Sequence, residues 1–306
     1  MTKQESVTIQ DIADKANVSI STVSRVLNGN TKVGEGYKTA VLQAIEELDY
    51  RPNFFAQGLA SGHSYTIGVI TQNVGSPVYD AILKGILENL SQSNYSPIFA
   101  DGQWDIDREE HAIETLIAKR VDGLIIVGGS TPTERLISIS RQIPLIIVAR
   151  IVPGLESQCI YMDNYKAGFE ATQYLIDQGH RQIAHLSGIH LHQDSQERAR
   201  GYQDALAQAS IVINQDLIIE GDFRRQSGVM GIEMLLTKNE PFTAVFVAND
   251  QMAFGARLAL FRRGIRVPDD VSLVGFDDQP DSAYMIPPLT TIRQPSVEMG
   301  IAAAKA

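Results

Sequence analysis
Ile20, Ser21, Thr22 and Arg25 lie close together and combine the side chains that read nucleic-acid bases. An arginine can donate two hydrogen bonds to guanine, hydroxyls suit bases or phosphates, and an isoleucine can touch a thymine methyl. A different set follows apolar runs further along: Arg150, Asp163, Asp222-Phe223, Asn249-Asp250 and Asp277-Asp278. A polyhydroxylated ligand needs such groups, because carboxylates and guanidinium groups fix hydroxyls while a ring covers apolar C–H faces. The competing expectation is that some of these Asp and Asn residues only cap the following helices, most strongly at Asp250 and Asp278 and less so at Asp277. His190 and His192, near Asp194, could suggest a metal. Two loop histidines without further spaced ligands are more commonly solvated, so no metal site is expected. No phosphate loop, nucleophile elbow, His-Glu-x-x-His or Gly-x-Gly-x-x-Gly occurs. The sequence therefore supports no enzyme and calls for no cofactor.

The elements that must position these groups are legible from spacing. Thr8 can cap a first helix carrying Ile9, Ile12, Ala13 and Ala16, with Asp11 offsetting its dipole. Asn17-Val18 breaks the pattern, and Ser19 can cap a second helix from Ile20 to Leu27 with Val23, Val26 and Leu27 facing inward. A third helix is expected from about Glu35 to Leu48, with Val41, Leu42, Ile45 and Leu48 on one face. This is a helix-turn-helix pattern, in which the start of the second helix enters the major groove. Spacing alone leaves open an ordinary helical bundle whose exposed residues are only solvated.

From Tyr65 onward the chain alternates. Strand-like runs at Thr66–Ile70, Pro97–Ala100, Gly123–Val127, Pro144–Val148, Ile160–Met162, Ile183–Leu186, Leu217–Ile219, Ala244–Val247 and Val271–Val274 are mostly separated by amphipathic helical patterns. Continuous apolar strands between such helices imply parallel sheets covered on both faces, and this many units imply two doubly wound layers. In open sheets of this kind ligands sit beyond the C-terminal strand ends.

Composition bounds the function classes. The chain has 306 residues, 44% of them hydrophobic and 20% charged, which suits several globular domains. No apolar run approaches the roughly 18 residues of a membrane span, and Met1–Glu5 carries no export-signal core. The single cysteine, Cys159, excludes an internal disulfide and fits a reducing cytoplasm. The net charge is −10, and residues 1–62 are themselves one unit negative, which counts against non-specific nucleic-acid binding. The distribution tells the other way, since Ser19–Asn28 carries Arg25 and no acid.

The wording Val7-Thr8-Ile9-Gln10-Asp11-Ile12-Ala13, then Val18-Ser19-Ile20-Ser21-Thr22-Val23-Ser24-Arg25-Val26-Leu27-Asn28, then Tyr50-Arg51-Pro52-Asn53, resembles the DNA-binding headpiece of the lactose/galactose repressor family. Gly179-His180-Arg181-Gln182-Ile183-Ala184, Arg198-Ala199-Arg200-Gly201-Tyr202, Glu220-Gly221-Asp222-Phe223, Val247-Ala248-Asn249-Asp250-Gln251-Met252-Ala253, Gly275-Phe276-Asp277-Asp278 and Pro287-Pro288-Leu289-Thr290-Thr291-Ile292 resemble its effector domain. The resemblance covers essentially the whole chain. It implies an all-α helix-turn-helix headpiece at residues 1–50, a hinge at 51–63 and an α/β effector domain like periplasmic sugar-binding proteins at 64–306.

The expected function is a cytoplasmic, homodimeric transcription regulator, a repressor, bound to a near-palindromic operator and controlled by a small effector such as a sugar. Ile20, Ser21, Thr22 and Arg25 would face bases, Asn53 would open the hinge, and Leu59 would wedge between base pairs in the minor groove. The hinge would form only on DNA, weakened by Gly58. Carried over position by position, Arg198 and Asp277 would grip ligand hydroxyls and Asn249 would make a further hydroxyl contact. Phe223 would stack on the ligand and Tyr79 would wall the site, while Arg150, shared with the galactose-type branch, would tune specificity. Gly34-Glu35-Gly36 departs from the family by loosening the start of the third helix. The family normally continues beyond Ala306, so a chain shortened at its C-terminus is expected. A transport solute-binding protein would need an export signal and no headpiece, and a sugar enzyme would need an acid/base cluster.

Overall fold
The computed structural model describes residues 7–27, 33–50 and 62–306. The hinge expectations at Pro52, Asn53, Gly58 and Leu59 lie outside the described residues. The chain divides into two compact units, Met1–Ser64 and Tyr65–Ala306.

The first unit holds α1 (Ile9–Ala16), α2 (Ile20–Leu27) and α3 (Glu35–Glu47). Thr8 and Asp11 form a reciprocal cap: the Asp11 carboxylate accepts from Thr8 N–H at 2.7 Å and Thr8 Oγ1 accepts from Asp11 N–H at 3.4 Å. Ser19 Oγ accepts from Thr22 N–H at 3.2 Å and so starts α2. Ile12, Ala13, Val23, Val41 and Ala44 are buried together, with Val26, Leu27, Ile45 and Leu48 packed around them. Leu42 differs from the expected packing face, being 50% exposed. It lies one position, about 100° around the helix, from Val41, and the buried stripe runs through Val41, Ala44, Ile45 and Leu48 instead. No side chain caps α3 at Gly34, yet the helix forms because its apolar stripe is packed.

The second unit contains two five-stranded sheets. The first comprises β1 (Thr66–Thr71), β2 (Ser96–Asp101), β3 (Gly123–Val127), β4 (Leu145–Val148) and β5 (Cys159–Ile160), in the order β2-β1-β3-β4-β5. The second comprises β6 (Ile183–Ser187), β7 (Ile218–Glu220), β8 (Ala244–Val247), β9 (Ser272–Asp277) and β10 (Thr290–Arg293), in the order β7-β6-β8-β9-β10. Every pairing is parallel. Both sheets therefore repeat one doubly wound order, with the switch point beside the first strand of each. The central strands β3 and β8 are buried throughout, as continuous apolar runs require. Edge strand β10 was not among the expected strands: Thr290-Thr291-Ile292-Arg293 is polar and borders Pro287-Pro288.

The covering helices are α4 (Pro77–Leu90), α5 (Ile106–Ala118), α6 (Thr133–Ser140), α7 (Asn164–Asp177), α8 (Gln193–Gln208), α9 (Arg225–Thr237), α10 (Asp250–Arg262) and α11 (Ser296–Lys305). The chain passes to the second sheet after β5 and returns after β10, for Met299 and Ala303 of α11 pack with Ile82, Ile86 and Leu90 of α4 in the first sheet's core. Helices α7 and α8 cross at facing glycines. A methyl at Gly168 would lie 2.4 Å from the Arg198 carbonyl oxygen and one at Gly201 would lie 2.2 Å from that of Tyr165. Only hydrogen fits at both positions, and this contact sets the height at which α8 presents Arg198.

Candidate functional site
A cavity of about 860 Å³ opens between the C-terminal ends of the two sheets. Tyr79, Arg150, Arg198, Phe223, Asn249 and Asp277 all line it. They are brought together from the first turn of α4 (Tyr79), the segments after β4, β7 and β8 (Arg150, Phe223 and Asn249), the last residue of β9 (Asp277) and the second turn of α8 (Arg198). The starting boundary of α8 matters: it begins at Gln193 and so places Asp194 on the cavity wall.

Arg198 is 3% exposed and rigidly held. Its Nε donates to Asn164 Oδ1 at 2.9 Å, Nη1 to the Ala248 carbonyl at 2.6 Å and Nη2 to Gln294 Oε1 at 3.2 Å. The guanidinium carbon lies 3.6 Å from the centroid of the Phe276 ring, and Asp194 Oδ2 lies 3.8 Å from Nη2. Planar stacking and a fixed donor fork leave the group preorganised. Asp277 is buried, accepts from Gln279 Nε2 at 2.9 Å, and has φ +111°, a conformation most side chains avoid. Burial pushes its carboxyl up to about 7, with Arg198 opposing the shift and Asp250 adding to it.

The helix-cap expectation separates these acids differently from the sequence. Asn249, expected as a ligand contact, is the cap: its Oδ1 accepts from Met252 N–H at 2.9 Å and its Nδ2 donates to the Phe223 carbonyl at 3.0 Å. Asn249 thereby joins α10 to the ring-bearing loop while lining the cavity. Asp250, expected as the cap, is instead a buried acceptor for Gln279 N–H at 2.8 Å, Ser282 Oγ at 2.6 Å and Thr291 Oγ1 at 2.7 Å. Burial raises its carboxyl above the usual range, and these bonds oppose the shift. Asp278 is exposed and caps no helix, whereas Asp163 caps α7 by accepting from Lys166 N–H at 2.9 Å.

On the facing wall, Arg150 Nη1 donates to the Gly129 and Thr131 carbonyls at 3.0 and 2.9 Å. Burial lowers the basicity of this guanidinium and Glu109 opposes that effect. The loop it grips is held from beneath by Glu109, a fully buried carboxylate that accepts from Ser130 N–H at 2.8 Å, Thr131 N–H at 2.9 Å and Thr131 Oγ1 at 2.6 Å. Glu109 carries no sequence signal, because an acid in the first turn of a helix ordinarily reads as a dipole partner.

A ladder of rings completes the cavity wall. Tyr79 meets Trp104 edge-on at 6.2 Å, Trp104 stacks on His192 at 3.9 Å, and His192 lies 6.0 Å from Phe223 at an interplanar angle of 18°. His192 was expected to be solvated. It is instead partly buried between rings, which lowers its basicity while Asp194 opposes that shift. Among the described residues no group of three or more His, Cys, Asp or Glu could hold a metal ion. Phe223 has φ +65° and packs on Gly188, where a methyl would fall 2.0 Å from the ring.

In the headpiece, Ile20, Ser21 and Arg25 are exposed at α2, and Thr22 is half-buried. The Ser21 and Thr22 hydroxyls lie 2.8 and 2.9 Å from Ser19 Oγ, so α2 opens on a cluster of hydroxyls.

Comparison with known proteins joins these two sites. Residues 8–53 match the family described as bacterial regulatory proteins of the lacI family, and residues 64–306 match periplasmic binding proteins and the sugar-binding domain of the LacI family. The chain belongs to the LacI family. It is 38% identical to the HTH-type transcriptional regulator GalR of Escherichia coli over 299 residues, covering 97% of this chain and 87% of GalR. A crystal structure of the lac repressor dimer bound to operator and the anti-inducer ONPF matches with a TM-score of 0.90 and 32% identity, over 98% of this chain and 91% of that one. A complex of the transcriptional regulator CelR with cellobiose matches with a TM-score of 0.72 and 31% identity, over 98% and 91%. This LacI-family chain is accordingly a helix-turn-helix transcriptional regulator and not an enzyme. No described helix is long and apolar enough to cross a membrane.

Proposed function
We propose that this regulator is a cytoplasmic repressor that takes a sugar or sugar derivative in the cavity between its two sheets, and that occupancy sets its affinity for a near-palindromic operator. The observation that carries this is the convergence on one cavity of a preorganised guanidinium, a buried carboxyl and a ring: Arg198, Asp277 and Phe223. Arg198 and Asp277 would bind vicinal hydroxyls, Phe223 would cover a C–H face, Asn249 would supply a further polar contact, Tyr79 would form the wall, and Arg150 would discriminate among ligands. An effector can shift operator binding only through its differential affinity for the two states of the protein.

Ile20, Ser21, Thr22 and Arg25 are assigned to the major groove, and Asn53 and Leu59 to hinge contacts with DNA. A homodimer is supported by exposed apolar side chains on α10 and the segment that follows β9: Phe261, Tyr284 and Ile286 are 78%, 84% and 89% exposed. Arg257 donates to the Pro287 carbonyl at 2.8 Å and so ties α10 to the loop that carries the latter two.

A thermal-shift screen against sugars, repeated with candidate operator DNA, tests the whole. A ligand that binds the native state raises the melting temperature by an amount that grows with the logarithm of its excess over Kd. Stabilisation by a sugar that Arg198→Ala abolishes supports the assignment, and equal stabilisation of both proteins moves the ligand elsewhere. Arg25→Ala weakens operator binding about ten- to a hundredfold and leaves sugar binding intact; unchanged operator affinity removes Arg25 from the interface.

A further inference from the structure
The ring ladder crosses between the two halves of the effector unit. Trp104 stands on the loop between β2 and α5 of the first sheet, and His192 stands immediately before α8 on the second. Among the described residues theirs is the ring contact that spans the cavity, at 3.9 Å and 22° between planes. Each partner is anchored from behind. Trp104 N–H donates to Gln72 Oε1 at 3.1 Å, and Gln72 is 1% exposed at the end of β1. Trp104 adopts φ +58°, a conformation that a non-glycine residue keeps only when its surroundings hold it. His192 N–H donates to the Ile189 carbonyl at 3.0 Å, and the His192 carbonyl accepts from Gln196 N–H at 3.1 Å. The next residue, Gln193, also crosses the cleft, accepting from Ile151 N–H at 3.3 Å. The stack coexists with the open volume of about 860 Å³, so it braces the cavity without filling it.

We propose that Trp104 and His192 are positioning residues that form a strut between the two halves, holding the cleft in its ligand-sized arrangement before any effector arrives. Neither ring needs to touch the effector. A strut that favours the competent arrangement raises apparent affinity, because apparent Kd is the intrinsic Kd divided by the competent fraction. The proposal rests on the cavity being the effector site only for that last consequence; the bracing itself rests on the ring stack and its anchors.

The sole tryptophan of the chain is Trp104, so its emission reports the strut directly. In the full chain without ligand, His192→Ala is expected to shift Trp104 emission to longer wavelength and to make it more accessible to acrylamide. His192→Phe, which restores a flat ring, is expected to return both readings most of the way to wild type. Unchanged emission and quenching in His192→Ala overturn the strut, and so does a His192→Phe protein that behaves like His192→Ala. With D-galactose and cellobiose as probes, a sugar that binds wild type is expected to bind His192→Ala about three- to tenfold more weakly, the worth of an aromatic stack. If neither sugar binds, the ligand-free arm still decides the strut, and the cavity is not a site for these two sugars.

Discussion
The two walls of the cleft are built on different principles. The wall from the second sheet presents charge fixed by side-chain networks: Arg198 held by Asn164, Gln294 and the Ala248 carbonyl, and Asp277 held by Gln279. The wall from the first sheet presents shape. Its charged groups, Glu109 and Arg150, direct their hydrogen bonds to the 129–131 loop, and Arg150 lines the cavity together with Tyr79, Trp104, Gly128 and Gly129. The difference teaches that recognition and closure are divided between the halves. On the proposed reading, the second sheet's half supplies most of the fixed polar groups for a ligand, while the first supplies aromatic surface and meets its partner through rings.

Arg198→Ala gives the largest expected effect, since it strands several acceptors and removes a charge from a buried network. Effector affinity falls about a hundredfold or more, and the fold loses about 3 kcal/mol. Calorimetric titration and denaturant melts check both, and a loss of affinity below about tenfold would mean that the second wall is not the recognising one.

Asp277 is expected to produce opposite pH trends in stability and binding. Its carboxyl is raised from 3.8 to about 7 in the folded protein, so the stability it contributes is full below 3.8 and declines as pH climbs through about 7. Asp277→Asn removes this decline and melts at higher temperature than wild type above neutrality. Ligand hydroxyls donate best to the ionised carboxylate, so wild-type effector affinity rises over the same window. An affinity flat in pH across neutrality would place Asp277 outside the contact set.

Glu109→Gln tests the shaping wall. Loss of a charged acceptor beneath the 129–131 loop costs about 1–3 kcal/mol of stability, and loosening of Arg150 weakens the effector about three- to tenfold. A loss as large as that of Arg198→Ala would erase the division between the walls. The smallest effect is expected at the exposed neighbour of Asp277: Asp278→Asn leaves melting within about 0.5 kcal/mol and affinity unchanged.

Much of the fold was legible because its signals are local. Apolar runs between amphipathic helices specify buried parallel strands wherever they occur, and β3 and β8 match their expected bounds. Edge elements were harder: β10 is short and polar, and β5 is only Cys159–Ile160. Their hydrogen bonds to a neighbouring strand, rather than their own burial, define them. In the site, residues embedded in distinctive wording were placed together, while Trp104, His192, Asp194 and Glu109 were not. Each is ambiguous alone. An indole beside aspartates, a loop histidine and first-turn acids carry no periodic signal, and their roles arise from partners far away in the chain.

Asn249 and Asp250 show where the boundary falls. Chain order establishes that a polar pair follows an apolar strand and opens a helix. It does not establish which member caps that helix and which turns inward to Gln279, Ser282 and Thr291. Local spacing sets helix periods, strand runs and the headpiece pattern, because those depend on neighbours a few residues apart. The packing of the two sheets decides which strand ends converge, which carboxyl is buried enough to reach about 7, and which rings meet across the cleft. Those properties depend on distance in space and on exclusion of water, and neither is written in the order of residues.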